Sequence, residues 1–238
     1  MAESKRADER RINRRAFLRK MTGFSVAALA GSNLLEACSP PPTTPTTAPT
    51  APSSVQPSSA PATLSETLRK RKSTNAFQSQ SLPKEKLLDL LWAAWGINRA
   101  DSGKRTAPSA MNAQEIDIYV LTSEGAFVYD AKGNQLASVL AQDLRSKATT
   151  MGSMRDAPVH LVFVADYAKF RTVPQSQKEL YSACHTGFIG QNVYLYCAAE
   201  GLGAHFHTSI DRAGLKTSLN LRDDQAIVFA QVVGYPKE

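Results

Sequence analysis

Between Ser81 and Gly96 the apolar positions recur with helical spacing: Leu87, Leu88, Leu91, Trp92 and Trp95 share one stripe, and Gly96 supplies a stop. The pattern predicts a helix with both tryptophans in the core. Upstream, Thr63 followed three residues later by Glu66 is a capping box that starts a shorter helix. Alternating and branched runs predict strands at Glu115–Thr122 and Gly125–Asp130, with turn chemistry over Asp130–Gln135 closing the second. Leu136–Ser146 reads as a helix. Pro158–Asp166 is almost wholly apolar and so predicts a central strand. A long helix over Gln177–Glu200, a strand at Gly203–His207, a small helix at Arg212–Leu221 and a last strand at Ala226–Tyr235 complete the order. The sum is an α+β domain with about five strands and helices packed on the sheet.

Composition changes this picture at the N-terminus. The chain carries 28 basic and 21 acidic residues, but eight of the basic ones fall within residues 1–38, against four acidic. The remainder, 20 against 17, is an ordinary surface balance, which argues against nucleic acid as a partner. Residues 39–63 are almost entirely Pro, Ser, Thr and Ala. Such a segment buries little apolar area and reads as a disordered, semi-rigid spacer ahead of one domain, residues 64–238. Cys184 and Cys197 stand 13 residues apart in one predicted helix, ~20 Å along its axis. A bridge requires Cα atoms within ~7 Å, so both are read as core thiols.

The chemistry-bearing residues admit several readings. Arg69, Lys70, Arg71 and Lys72 form a run that ends abruptly at Ser73. It suits a solvated helix face, a nucleic-acid patch or a site for one phosphate. His205 and His207 share a strand face, with Cys184 and His185 elsewhere, but no acidic residue lies nearby in sequence and no metal is expected. There is no Walker loop and no Gly-x-Ser-x-Gly elbow, and the glycines at Gly201–Gly203 follow a helix rather than a strand.

Three spaced motifs separate these readings. Arg71–Phe77, "RKSTNAF", resembles the N-terminal flavin-binding segment of the FMN-dependent nitroreductase family. Arg105–Gln114, "RTAPSAMNAQ", is similar to that family's Pro-Ser-x-x-Asn-x-Gln loop. Thr186–Phe206 resembles its long helix and following strand, and Val232–Pro236 its ending. Within the family, the chain looks closest to the azoline-oxidising, peptide-modifying branch. The resemblance implies a nitroreductase-like mixed sheet flanked by helices, in an intertwined homodimer with FMN at the subunit interface. It assigns the cofactor to Arg71, Lys72 and Ser73 at the phosphate and ribityl chain. Pro108, Ser109, Ala110, Asn112 and Gln114 would reach it from the partner, with Lys237 a further phosphate contact. His207 and Thr208 are candidates for the pocket wall. Asn75 departs from the family, which often has a basic residue there.

Two further resemblances concern location. "NRRAFLRK", Asn13–Lys20, followed by a 15-residue apolar run over Met21–Leu35, resembles a twin-arginine export signal. That run is shorter than the ~20 apolar residues of a spanning helix. Leu35-Glu36-Ala37-Cys38 is similar to a lipobox, with Cys38 as the lipidated residue; ordinary cleavage is the alternative. Together these imply export by the twin-arginine machinery and a lipid anchor at the periplasmic or cell-surface side. The implied activity is an FMN oxidoreductase moving hydride equivalents at flavin N5 to or from a small organic or peptide-derived molecule. Because an exported domain faces no nicotinamide pool, a quinol or redox-protein donor stays open, as does an oxidative direction. The rival reading is a non-catalytic surface lipoprotein on the same scaffold.

Overall fold

The computed structural model describes residues 62–237. The export signal, Cys38 and all but the last two residues of the expected spacer lie outside them. The capping box forms as expected: the Glu66 amide donates to Thr63 Oγ1 at 3.3 Å and the Thr63 amide to the Glu66 carboxylate at 2.8 Å. Helix α1 (Leu64–Lys70) starts there. Helix α2 (Lys84–Trp95) buries Leu87, Leu90, Leu91, Ala94 and Trp95, the i, i+3, i+4, i+7, i+8 face of a helix. Trp92 stands one position off that face and is 44 % exposed, which corrects the expectation of a core residue. Trp95 is core, and its indole N–H donates to the Ile116 carbonyl at 2.8 Å.

Two short strands, β1 (Ile97–Arg99) and β2 (Lys104–Arg105), form a separate ribbon. The main sheet contains β3 (Ile116–Thr122), β4 (Gly125–Asp130), β5 (Gln135–Leu140), β6 (Val159–Asp166), β7 (Gly203–His207) and β8 (Gln225–Gly234). Its order is β5-β4-β3-β6-β8-β7, with every neighbouring ladder antiparallel. The parallel component of the mixed sheet is one bridge, Ser73 to Ala204, beside β7.

Strand β5 replaces most of the helix expected over Leu136–Ser146; only α3 (Arg145–Ala148) is helical there. The Asp130 carboxylate accepts the amides of Lys132 and Gly133 and so forms a tight turn. That turn returns the chain along the open edge of β4, and ladder pairing outweighs the helical spacing of Leu136 and Leu140.

Helix α4 (Gln175–Ala199) and α2 cover one face of the sheet, and α3 with α5 (Arg212–Ser218) the other. β6 lies between them with every residue buried, as its apolar run predicts. Leu161, Phe163 and Ala165 face the first layer, Val162 and Val164 the second. Both cysteines on α4 are free; Cys197 is core, but Cys184, expected to be buried, is exposed. Among the described residues, no helix is long and apolar enough to cross a membrane.

The second face also holds three histidines. His160 on β6 and His205 on β7 pair with Val232 from opposite sides, and His207 lies one row further on. Both ring nitrogens of His160 and of His207 lack a hydrogen-bond partner among the described residues. Burial, then the nearby Arg145 and His207, holds His160 down to about 3. Burial, then His205 and Arg212, holds His207 down to about 4.

In the unfolded chain each would take up a proton near pH ~6.5. The stability they allow is therefore complete above that pH and is lost as pH falls toward their folded values. Urea unfolding between about pH 6 and about pH 4 should show a loss of about 1.4 kcal/mol per pH unit for each histidine. His160→Phe should flatten the profile by one histidine's share. An identical slope in the variant would show that His160 protonates freely in the fold.

Candidate active site

The first motif is positioned by a strap. Helix α1 ends at Arg71, whose backbone turns extended (φ −56°, ψ 123°) as its amide closes on the Thr67 carbonyl. The chain then runs along the sheet. Thr74 donates its amide to Ala204 on β7 at 2.9 Å, and Phe77 bridges Pro236 beyond β8. The Thr74 side chain occupies the space where a Cβ on Gly203 would stand, so the approach requires glycine there. The Lys237 amide donates to the Ala76 carbonyl at 3.0 Å, which brings Lys237 beside the same strap.

Tyr194 of α4 organises this corner, and sequence reading missed it. Its hydroxyl lies 2.9 Å from Ser73 Oγ and accepts the Phe206 amide at 2.8 Å. The Arg71 guanidinium stands over its ring, 5.4 Å from the centroid. Arg71 is half-buried, while Lys72 and Ser73 are exposed. Beside them lies a cavity of about 320 Å³ lined by Lys70, Lys72, Thr74, Tyr194, Leu202 and Pro236 among others. Two ammonium groups on this cavity, a guanidinium held by the same tyrosine and a braced hydroxyl are the donor set a phosphate monoester needs.

The second motif is a strained loop. After Pro108 and Ser109, a 3-10 turn spans Ala110–Asn112, and φ is positive at Met111 (54°), Asn112 (54°) and Gln114 (50°). Asparagine tolerates this region; methionine and glutamine rarely enter it, at ~1–3 kcal/mol each. Surrounding bonds hold the conformation. The Gln114 amide N–H donates to Ser109 Oγ, and its side-chain Nε2 donates to the Gly103 carbonyl and to Asn112 Oδ1. Gln114 Oε1 accepts Arg105 Nε at 2.7 Å. Arg105 in turn donates to the Trp95 carbonyl and lies 4.8 Å from the Trp95 ring centroid. Gln114 is thus occupied at both ends of its amide and braces Asn112 instead of offering a free edge to a ligand. Asn112 is exposed, and its Nδ2 has no partner among the described residues.

A larger cavity, about 580 Å³, lies against this loop, with Met111, Asn112 and Ala113 on one side and Phe170, Arg171 and Thr172 on another. Beneath the loop, His185 of α4 accepts the Ala110 amide at 2.8 Å and meets Glu115 at 2.7 Å. Tyr194 lies nine residues beyond His185, ~13 Å along the helix. Within one chain the two motifs are therefore anchored at separate points of α4. Of the expected pocket residues, His207 is buried on the second face of the sheet and lines neither cavity, while Thr208 is exposed. Among the described residues, no group of three His, Cys, Asp or Glu is arranged to hold a metal ion.

Comparison with known proteins places this arrangement. The family model described as "Nitroreductase family" matches residues 68–235. The chain is 28 % identical over 150 residues to a protein of Methanocaldococcus jannaschii classed as a nitroreductase, covering 59 % of this chain and 75 % of that one. A crystal structure from Ralstonia eutropha, also classed as a nitroreductase, superposes with a TM-score of 0.71 at 37 % identity, covering 77 % of this chain and 87 % of the other. A Desulfovibrio desulfuricans structure in complex with FMN shares the fold at a TM-score of 0.54 and 20 % identity, over 75 % and 89 % of the two chains. The Escherichia coli microcin synthetase McbBCD complex shares the fold at 0.64 and 16 %, over 81 % and 79 %. With the strap, the strained loop and the long helix in one order on one scaffold, the chain belongs to the nitroreductase family, whose members are FMN-dependent oxidoreductases.

Proposed function

We propose that this chain is an exported, lipid-anchored FMN oxidoreductase that acts as a homodimer on a small organic or peptide-derived molecule. The observation that carries the cofactor assignment is the corner built on Tyr194, where one phenol holds Ser73 by its hydroxyl and Arg71 by its ring face. Arg71, Lys70 and Lys72 would neutralise the phosphate. Ser73, with Tyr194 as donor, keeps its own proton for a cofactor oxygen. Bound FMN supplies hydride chemistry at N5, and the protein supplies binding and orientation. Asn112, in its left-handed conformation, presents a neutral amide suited to the donor and acceptor pattern of a flavin edge. The separation of the two motifs along α4 supports a site completed by the loop of a second subunit. Placement in the peptide-modifying branch is supported by the sequence motifs alone; the microcin synthetase shares the fold.

FMN should co-purify with the protein and colour it yellow. Arg71→Ala removes a charge-assisted contact of ~1.5–3 kcal/mol, so fluorescence titration of the apoprotein should show FMN binding at least ~10-fold weaker. Tyr194→Phe keeps the ring beneath Arg71 but strands Ser73 and the Phe206 amide, and should weaken FMN by a smaller factor. Unchanged affinity in both would return the basic run to a solvated helix face.

Mixed dimers test the shared site. Arg71→Ala and Asn112→Ala homodimers should each bind FMN poorly, and a heterodimer of the two, separated by different tags, should regain about one good site. Heterodimers with no recovered binding would place both motifs on a flavin within one subunit.

Export follows from the N-terminal residues alone. Arg14→Lys with Arg15→Lys should leave the precursor in the cytoplasm, and Cys38→Ser should shift the mature domain from the membrane to the soluble fraction. A Cys38→Ser protein that stays with the membrane would sink the lipobox reading and leave the apolar run as an uncleaved anchor.

A further inference from the structure

His185 and Glu115 form an ionisable pair that the flavin contacts named above do not use. Their side chains are 4 % and 0 % exposed, whereas each of the other ion pairs among the described residues keeps a partner at least partly in solvent. Glu115 Oε2 has no hydrogen-bond partner among the described residues. A buried pair of this kind adds little as stabilisation alone, since packed apolar residues serve as well or better.

The hydrogen bonds define the state of the ring. The Ala110 amide donates to His185 Nε2 at 2.8 Å, so that nitrogen carries no proton. The imidazole is then neutral with its one proton on Nδ1, and the 2.7 Å contact to Glu115 Oε1 is Nδ1–H donating to the carboxyl group. Glu115 thereby selects the tautomer that accepts from the loop. Tyr181 stacks near-parallel on the ring, at 6.3 Å and 12°, and Phe170 lies 6.4 Å away, so the imidazole is held on its flanks as well.

The two partners of this ring bracket the loop. Ala110 opens the 3-10 turn and Glu115 follows Gln114, so all three left-handed residues, Met111, Asn112 and Gln114, lie between the two attachment points. One imidazole from α4 closes the base of a strained six-residue segment. Phe170 lines the cavity that the loop itself walls, which puts the ring directly behind that wall.

We propose that His185, with its tautomer set by Glu115, is a positioning residue: it staples the base of the 110–115 loop, holds Asn112 in its left-handed conformation, and thereby sets FMN affinity without touching the cofactor. The proposal rests on the reading of this loop as a flavin contact. Local amide exchange tests the staple and FMN titration tests its consequence. In His185→Ala, exchange at Ala110 should accelerate about tenfold or more while the β6 amides keep their protection, and FMN should bind about tenfold more weakly. His185→Gln retains an acceptor for Ala110 and a donor for Glu115, and should restore both readings to within about threefold of the parent. Glu115→Gln keeps the shape but weakens the acceptor of Nδ1–H, and should fall between the two.

Unchanged Ala110 exchange in His185→Ala overturns the staple. Parent-like FMN affinity in His185→Ala, alongside weakened affinity in Asn112→Ala, overturns the link to the cofactor and leaves the loop reading intact. Parent-like affinity in Asn112→Ala removes the loop from the flavin site, and the proposal falls with it. Should His185→Ala fail to fold, faster Ala110 exchange confined to the loop in Glu115→Gln supports the staple in its place, and unchanged exchange there overturns it.

Discussion

Everything in the site depends on how closely α4 lies against the sheet. A Cβ on Gly190 would stand 2.7 Å from the Phe206 ring, so the helix can seat there only because that position has no side chain. Gln231 of β8 donates to the Gly190 carbonyl from within the core, and Phe206 packs between Phe163 and Phe229. Together with the burial of Ile189, Val193 and Cys197, this close approach at Gly190 sets the height and roll of the helix on the sheet. Its residues five positions before and four positions after then point at fixed targets. Those residues are His185 and Tyr194, one beneath the strained loop and the other at the phosphate corner.

The same seat explains the division of labour in the site. The groups assigned to the cofactor sit on segments without regular structure, the strap and the loop, and neither segment has a core of its own. Each also takes one bond from an aromatic side chain of the long helix, Ser73 from Tyr194 and the Ala110 amide from His185, beside its own backbone and side-chain bonds. Lys72, Ser73 and Asn112 stay exposed to meet a ligand, while the half-buried phenol and the buried imidazole help to order the segments that carry them.

Much of this was legible in the sequence, for local reasons. The capping box, the apolar β6 run and the length of α4 follow from patterns a few residues wide, and all three appear in the fold. The strap and loop residues read alone as a solvated basic face and an ordinary loop; only their order and spacing, through the family resemblance, assign them to a flavin. Tyr194 and His185 were not legible. On a helix pattern they read as ordinary amphipathic positions, and what their polar tips meet is set by segments at residues 73 and 110, far away in the chain. Edge strand β5 was misread for a related reason: Leu136–Ser146 fits a helical period equally well, and the open edge of β4 decided the outcome. Trp92 shows the limit of a stripe drawn from hydrophobicity alone, since the true face runs through Leu90 and Ala94 instead.

The strap carries one further consequence. Arg71 and Ser73 are held where Thr74 meets β7, and where Ala76 and Gln78 meet Lys237 and Tyr235. An early segment of the domain is therefore paired with residues close to its end. On the ribosome the strap emerges early: Ser73 waits 121 residues for Tyr194, and Gln78 waits 158 for Pro236. Such long-range pairing folds late. The corner assigned to the phosphate is therefore among the last parts of the domain to form, since it waits for β7 and for the residues beyond β8.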